Sequence, residues 1–449
     1  MSALVSRRSF AIGSAASLAV SSFVSRKTFA ATPVAGDSTA ASPIVPGDGR
    51  FLLVADPAAA DIAMYALPSL NLTGNLPGVA LDKHAGVVAL ADGRVIFGDD
   101  ATQEIVAITI DANGLPTIAQ RVAASFGDGL AWAAMDAKAR YYVVTSGVEG
   151  TLTRFLNVVD LATFTNTSVE IEAAEDEELE AWITGEPAYA FLSVGGRVDA
   201  YLLDDLIAGE AAPTSSLAIE FGSHGPVADA ANGRLLISTA AGFEVIDADA
   251  DPIVAESLIP WEVDGFTGGQ NFRPRLGWDG ATIFGVLTPT PENPETWADV
   301  EVSAHITNLA DLSATRVSLG HGLWAGRWGL GAPFALFAGH DGVTGTAALF
   351  DVDPASATFG TVVSSTAIDK PTLAAIPGTA ADGAEGYLTA ITHDGALGFV
   401  VLGGDGRILV IDTEQAAVAA TIATANPLTG AGYITVIESG VAPVDLVAR

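Results

Sequence analysis

Cysteine is absent from the 449-residue chain. That excludes disulfide staples, thiolate metal sites and cysteine nucleophiles, and leaves any metal to His, Asp, Glu or backbone oxygen. Basic residues are scarce, with 20 Lys and Arg against 53 Asp and Glu and a net charge of −33. Such a field repels phosphate backbones and anionic membrane surfaces, which argues against nucleic acid as a partner; it attracts cations and basic proteins. Aromatic residues make up only 7 % of the chain and histidines number six. After position 50 no helix-period segment of ten or more residues stands out. Gly-x-Ser-x-Gly elbows, His-Glu-x-x-His helices and phosphate loops are all missing.

What the chain does have is glycine and proline, 48 and 22 residues, and an apolar content of 49 % drawn mostly from Ala, Val, Leu and Ile. This composition suits many short strands joined by tight turns. The first residues read differently. Arg7-Arg8 precedes a modest apolar run to about Val24, then Arg26-Lys27 and small residues near Ala30. This arrangement resembles a twin-arginine (Tat) export signal over 1–30, which implies a periplasmic or extracellular protein that crosses the membrane already folded. The run is too short and too rich in Ser and Gly for a membrane span, so no stable span is expected in the mature chain. Residues 31–48, rich in Ala, Thr, Ser and Pro, read as a flexible linker, and 49–449 as one domain.

Within that domain, strand-turn-strand units recur about every 50 residues, the signature of a closed repeat. The last unit is the clearest. Tyr387–Ile391, the turn His393-Asp394-Gly395, Gly398–Leu402, the turn Asp405-Gly406, Ile408–Asp412 and Val418–Ile422 make four strands, the content of one propeller blade. Similar units begin near Gly86 and Pro226, with looser ones near Leu130, Ala188, Arg273 and Leu323. Arg50–Asp56 and Ile62–Tyr65 look like a blade lacking its first strand, and Ala442–Ala448 is a spare strand at the other end. The fold expected is an all-β, eight-bladed propeller closed by pairing 442–448 with 50–55, since a propeller must not leave an open sheet edge. Seven blades is the alternative count, because 172–180 and 288–302 read as insertions. The acidic cluster Glu172–Glu180 reads as a solvated loop.

Three of the histidines fall on the repeat. His84, His224 and His321 each stand just ahead of the expected inner strand of a blade, separated by 140 and 97 residues. Those separations are three and two repeats of about 47 to 48 residues. Equivalent positions in successive blades share one mouth of the channel, and imidazole is the commonest neutral metal ligand, so these three are candidate ligands for zinc. Asp128 and Glu186 read as occupying the same blade position and are candidate carboxylates to complete the set. Packing or hydrogen bonding of the same rings in the channel is the competing reading. His340 and His393 flank Asp-Gly turns, and His305 reads as a surface or satisfied core residue.

The His-Gly placement, above all Ser223-His224-Gly225-Pro226-Val227 leading to Asn232-Gly233-Arg234-Leu235-Leu236-Ile237-Ser238, resembles the periplasmic β-propeller zinc metallochaperones of AztD type. The late blade from Ala390 to Asp412 carries the resemblance further. It implies zinc as cargo, a zinc ABC transporter solute-binding protein as partner, and a monomer without catalytic residues. A His-rich mobile loop and an adjacent His pair are not seen. Two other functions fit the same fold. One is a propeller enzyme of lactonase or quinoprotein type, with calcium as its metal and Asp128, Glu186 and Asn271 as channel groups; the other is an interaction platform without metal. The seven Trp are scattered rather than spaced by blade, which favours inter-blade packing.

Overall fold

Apolar runs without alternation, such as Phe399-Val400-Val401-Leu402 and Leu52-Leu53-Val54, are buried on both faces, because each sheet is sandwiched between two neighbours. Outer strands show the opposite pattern: Val362–Ile368 alternates exposed and half-buried positions along its length. The computed structural model describes residues 49–448 apart from 82–85, 91, 100, 126–128, 137, 148–150, 173–178, 185–187, 195, 220–225, 267–269, 289–297, 324–327, 374–385, 429–432, 439 and 442–446.

Eight antiparallel sheets succeed one another along the chain, and each contributes one blade of a propeller. Blade 1 joins both ends of the domain, with Tyr433–Glu438 as its inner strand followed outward by Arg50–Asp56, Asp61–Ala66 and Asn71–Pro77. The inner strands of blades 2 to 8 are Val88–Ala89, Gly129–Met135, Ala181–Thr184, Val227–Asp229, Gln270–Leu276, Gly329–Leu330 and Tyr387–Ile391. In blades 1, 2, 5, 6, 7 and 8 the register between the third and outer strands shifts by a residue. A bulge there increases local twist, as required where a blade widens toward the rim.

The closing strand differs from the expectation. Tyr433 lies opposite Ala55 and Glu438 opposite Arg50, so 433–438 and not 442–448 completes blade 1. Tyr-Ile-Thr-Val-Ile-Glu is β-branched and apolar on both faces: Tyr433 and Ile437 pack toward blade 2, and Ile434 and Val436 toward blade 8. The later segment contains Pro443, and its described strand is only Val447–Ala448. These two residues add to the inner edge of blade 3, opposite Ala134 and Ala133. Beside the closing strand, Arg50 Nη1 donates to Asp394 Oδ2 at 2.7 Å and the His393 backbone N–H donates to Glu438 Oε2 at 3.0 Å. Both contacts tie blade 8 to blade 1.

Candidate functional site

Because four antiparallel strands lead from the inner strand to the outer strand of every blade, each connection from an outer strand to the next inner strand starts and ends at the same mouth of the ring. That mouth is where the candidate residues were expected. His84, Asp128 and His224 fall in the connections entering blades 2, 3 and 5, between Pro77 and Val88, Ala123 and Gly129, and Ala218 and Val227. These three residues, and Glu186, lie outside the described residues.

Two assignments change. Glu186 falls between Ala181–Thr184, the inner strand of blade 4, and Tyr189–Val194, its second strand, so its connection belongs to the opposite mouth. The short run Ala-Trp-Ile-Thr was hidden beside the acidic cluster, which moved the apparent blade start to Ala188. The residue that does precede this inner strand is Glu180. Its side chain is buried, its N–H donates to Ser193 Oγ at 2.9 Å and its carbonyl accepts from Ser193 N–H at 3.0 Å. His321 is the last residue of an outer strand, Ala314–His321, exposed and opposite Glu301, and the inner strand of blade 7 begins only at Gly329. With neighbouring strands about 4.8 Å apart, an outer strand stands roughly 14 Å from the inner one. His321 therefore shares the mouth but not the channel-lining position.

Asp99, at the end of the second strand of blade 2, is a buried anchor of this mouth that the sequence did not reveal, with Arg121 Nη1 3.3 Å from its Oδ2. It is fully buried at this mouth; Oδ1 accepts the backbone N–H groups of Ala80 and Ala101 at 3.0 and 3.1 Å, and Oδ2 accepts the Thr102 hydroxyl at 2.9 Å. The Ala80 bond anchors the connection that carries His84. His340, at the end of the second strand of blade 7, is also buried there, with its ring centre 5.9 Å from that of Tyr387. Its Nδ1 accepts from the Gly342 N–H at 3.2 Å. A neutral ring so bonded carries its proton on Nε2, which leaves neither nitrogen with a free lone pair for a metal. Among the described residues no three of His, Asp and Glu come together in a group able to hold a metal ion.

His305 is a satisfied core residue. It is fully buried, its Nε2 is 3.2 Å from the Pro260 carbonyl, its Nδ1 is 3.2 Å from the Thr307 hydroxyl, and its ring lies edge-on to Trp261 and Phe243. Burial lowers its pKa from 6.5 to about 4. Burial, followed by nearby Lys370, likewise takes His340 to about 4, against the opposing pull of Asp341. Both rings are thus neutral in the fold while their unfolded counterparts take up a proton near pH 6.5. The stability this contributes is present above pH 6.5 and is lost as pH falls toward and through about 4. A variant carrying His305→Gln and His340→Gln should show a flatter fall of Tm over that range. A slope as steep as in wild type would count against the assignment.

Trp182 and Trp328 pack rather than line a cofactor site: Trp182 sits with Phe191 and Leu235 between blades 4 and 5, and Trp328 stacks on Phe337 at 5.2 Å. Fold and mouth together define the class, an eight-bladed β-propeller with His84, Asp128, Glu180 and His224 in its outer-to-inner connections. Among solved structures the chain is similar to AztD from Citrobacter koseri, with a TM-score of 0.61, 12 % identity, and coverage of 86 % of this chain and 97 % of that one. It is also similar to the dihydro-heme d1 dehydrogenase NirN, at a TM-score of 0.54 and 14 % identity over 89 % of this chain and 77 % of that one. The C-terminal WD40 domain of Sif2 gives 0.52 and 9 %, over 79 % and 90 %. At these identities the likeness is one of fold, and the fold is that of an AztD-type propeller. No protein-family model and no curated protein matches the chain. Among the described residues no helix is long and apolar enough to cross a membrane.

Proposed function

We propose that this protein is an exported zinc-binding propeller that carries the ion to the solute-binding protein of a zinc ABC importer. One observation carries the reading: the connections entering four successive blades, 2 to 5, contain His84, Asp128, Glu180 and His224. Two imidazoles with carboxylate oxygen form a common zinc donor set, and no thiolate is needed. Glu180 takes the part first given to Glu186, and His321, on its outer strand, stands apart from the set. The AztD-type fold and the His-Gly resemblance support the same cargo. The negative field of the chain favours approach of a dication and of a basic docking surface.

Elemental analysis of protein recovered from its export route tests the cargo. About one zinc per chain is expected, and calcium or a quinone in its place would move the protein to the enzyme reading. The route is tested separately: changing Arg7 and Arg8 together to Lys should leave the precursor in the cytoplasm, and normal appearance of mature protein outside would remove the Tat assignment.

A further inference from the structure

Between the outer strand of blade 4 and the edge of blade 5 lies a groove of about 320 Å³, lined by Leu217, Ile219, Leu258, Ala241, Ala255 and Glu244 among others. Its volume is at the lower end for small-molecule sites. Its walls are apolar with a single carboxylate, and the position of that carboxylate has a history in the repeat. The fourth residue of the second strand faces Asn157 in blade 3, Asp199 in blade 4, Glu244 in blade 5 and His305 in blade 6. In blades 1, 2, 7 and 8 the equivalent residue is Met64, Val106, Ala348 or Leu409.

Three of the four polar groups are satisfied by protein. Asn157 Oδ1 accepts from the Ser125 N–H at 2.9 Å, Asp199 accepts from Arg197 Nε and Nη2 and from the Ser216 hydroxyl at 2.6 Å, and His305 reaches the Pro260 carbonyl. Glu244 has no hydrogen-bond or ion-pair partner among the described residues. It is partly buried and lines the groove beside Leu258, its register partner on the outer strand. Its carboxylate therefore offers acceptor oxygens beside aliphatic walls, where a cation entering the groove gains both a charged hydrogen bond and apolar contact.

We propose that this groove binds a small organic ammonium with an apolar body, the nitrogen on the Glu244 carboxylate and the hydrocarbon against Leu217, Ile219 and Leu258. The occupant needs both halves: a bare cation gains nothing from the aliphatic walls, and a neutral hydrocarbon leaves Glu244 unpaired. The groove sits on the rim between blades 4 and 5, so the site is independent of the zinc reading.

Calorimetric titration of the full chain with benzylammonium chloride is the test, beside benzyl alcohol as the neutral analogue. Saturable one-to-one binding is expected, weakened at least about tenfold for benzyl alcohol and for Glu244→Gln, a difference of roughly 1.4 kcal/mol. Ala255→Phe, which places a ring in the groove from an exposed strand position, should reduce binding to a similar extent. Equal affinity in wild type and Glu244→Gln would mean uptake by the acidic surface at large and would overturn the proposal. Absence of saturable binding up to about 10 mM, tenfold above the roughly 1 mM that marks a weak small-molecule complex, would overturn it as well.

Discussion

A chain ending at residue 432 is expected to lose the cooperative native fold, whereas one ending at Val441 should keep it. The first truncation removes the inner strand of blade 1, and with it six register pairs from Arg50–Glu438 to Ala55–Tyr433. It also exposes the neighbours of Tyr433, Ile434, Val436 and Ile437, which pack against blades 2 and 8. Full burial of such side chains contributes roughly 2 kcal/mol each. Their sum is comparable with the whole net stability of a domain, about 5–15 kcal/mol. The Arg50–Asp394 ion pair would remain, but partly exposed pairs of this kind contribute at most about 1 kcal/mol. The second truncation keeps the closing strand and, among the described residues, gives up the pairing of Val447–Ala448 with blade 3. Urea melts followed by near-ultraviolet circular dichroism separate the two. Equal midpoints for the chain ending at 432 and the full chain would show that the ring closes without this strand.

Zinc affinity carries the second large effect. His84→Ala with His224→Ala should weaken zinc binding by at least ~100-fold, because removing two of the donors leaves a dication with carboxylates and water, a change of about 2.7 kcal/mol or more. His321→Ala, at the exposed end of an outer strand, should change the affinity by less than about twofold. Since a ligating imidazole must be neutral, affinity should also fall as pH drops through about 6.5. His340→Gln should leave that pH profile unchanged, because the buried His340 is already neutral down to about pH 4. Titration with a zinc-selective dye across pH 5 to 8, within the range of His ionisation, reads both effects. Equal affinity in wild type and the double variant would return His84 and His224 to a packing role.

The misread blades have a common cause. Strands whose middle residues are buried on both faces, such as Arg407–Asp412, announce themselves as continuous apolar runs, and their positions were legible without coordinates. Some inner strands are short, two residues in blade 7 and four in blade 4, and a run of four cannot be told from a loop when an acidic cluster adjoins it. Outer strands alternate weakly or face solvent, so the outer strand ending in His321 left no signal that would separate it from the next inner strand. Glu180 and Asp99 were passed over for a related reason. A carboxylate in a sequence reads as solvated by default, and burial belongs to the assembled ring.

Composition, the 47- to 48-residue repeat and the turn chemistry were enough to indicate an acidic, all-β propeller closed through both ends of the domain, with eight blades favoured over seven, because each of these is a local property repeated along the chain. Which strand closes that ring, which carboxylate enters blade 4 at the candidate mouth, that His321 stands on the rim, and that Glu244 alone of four equivalent polar groups lacks a partner among the described residues were decided by tertiary structure. Each depends on which residues meet across sheets or between blades. Such meetings are set by register and packing between segments far apart in the chain, and no local pattern records them.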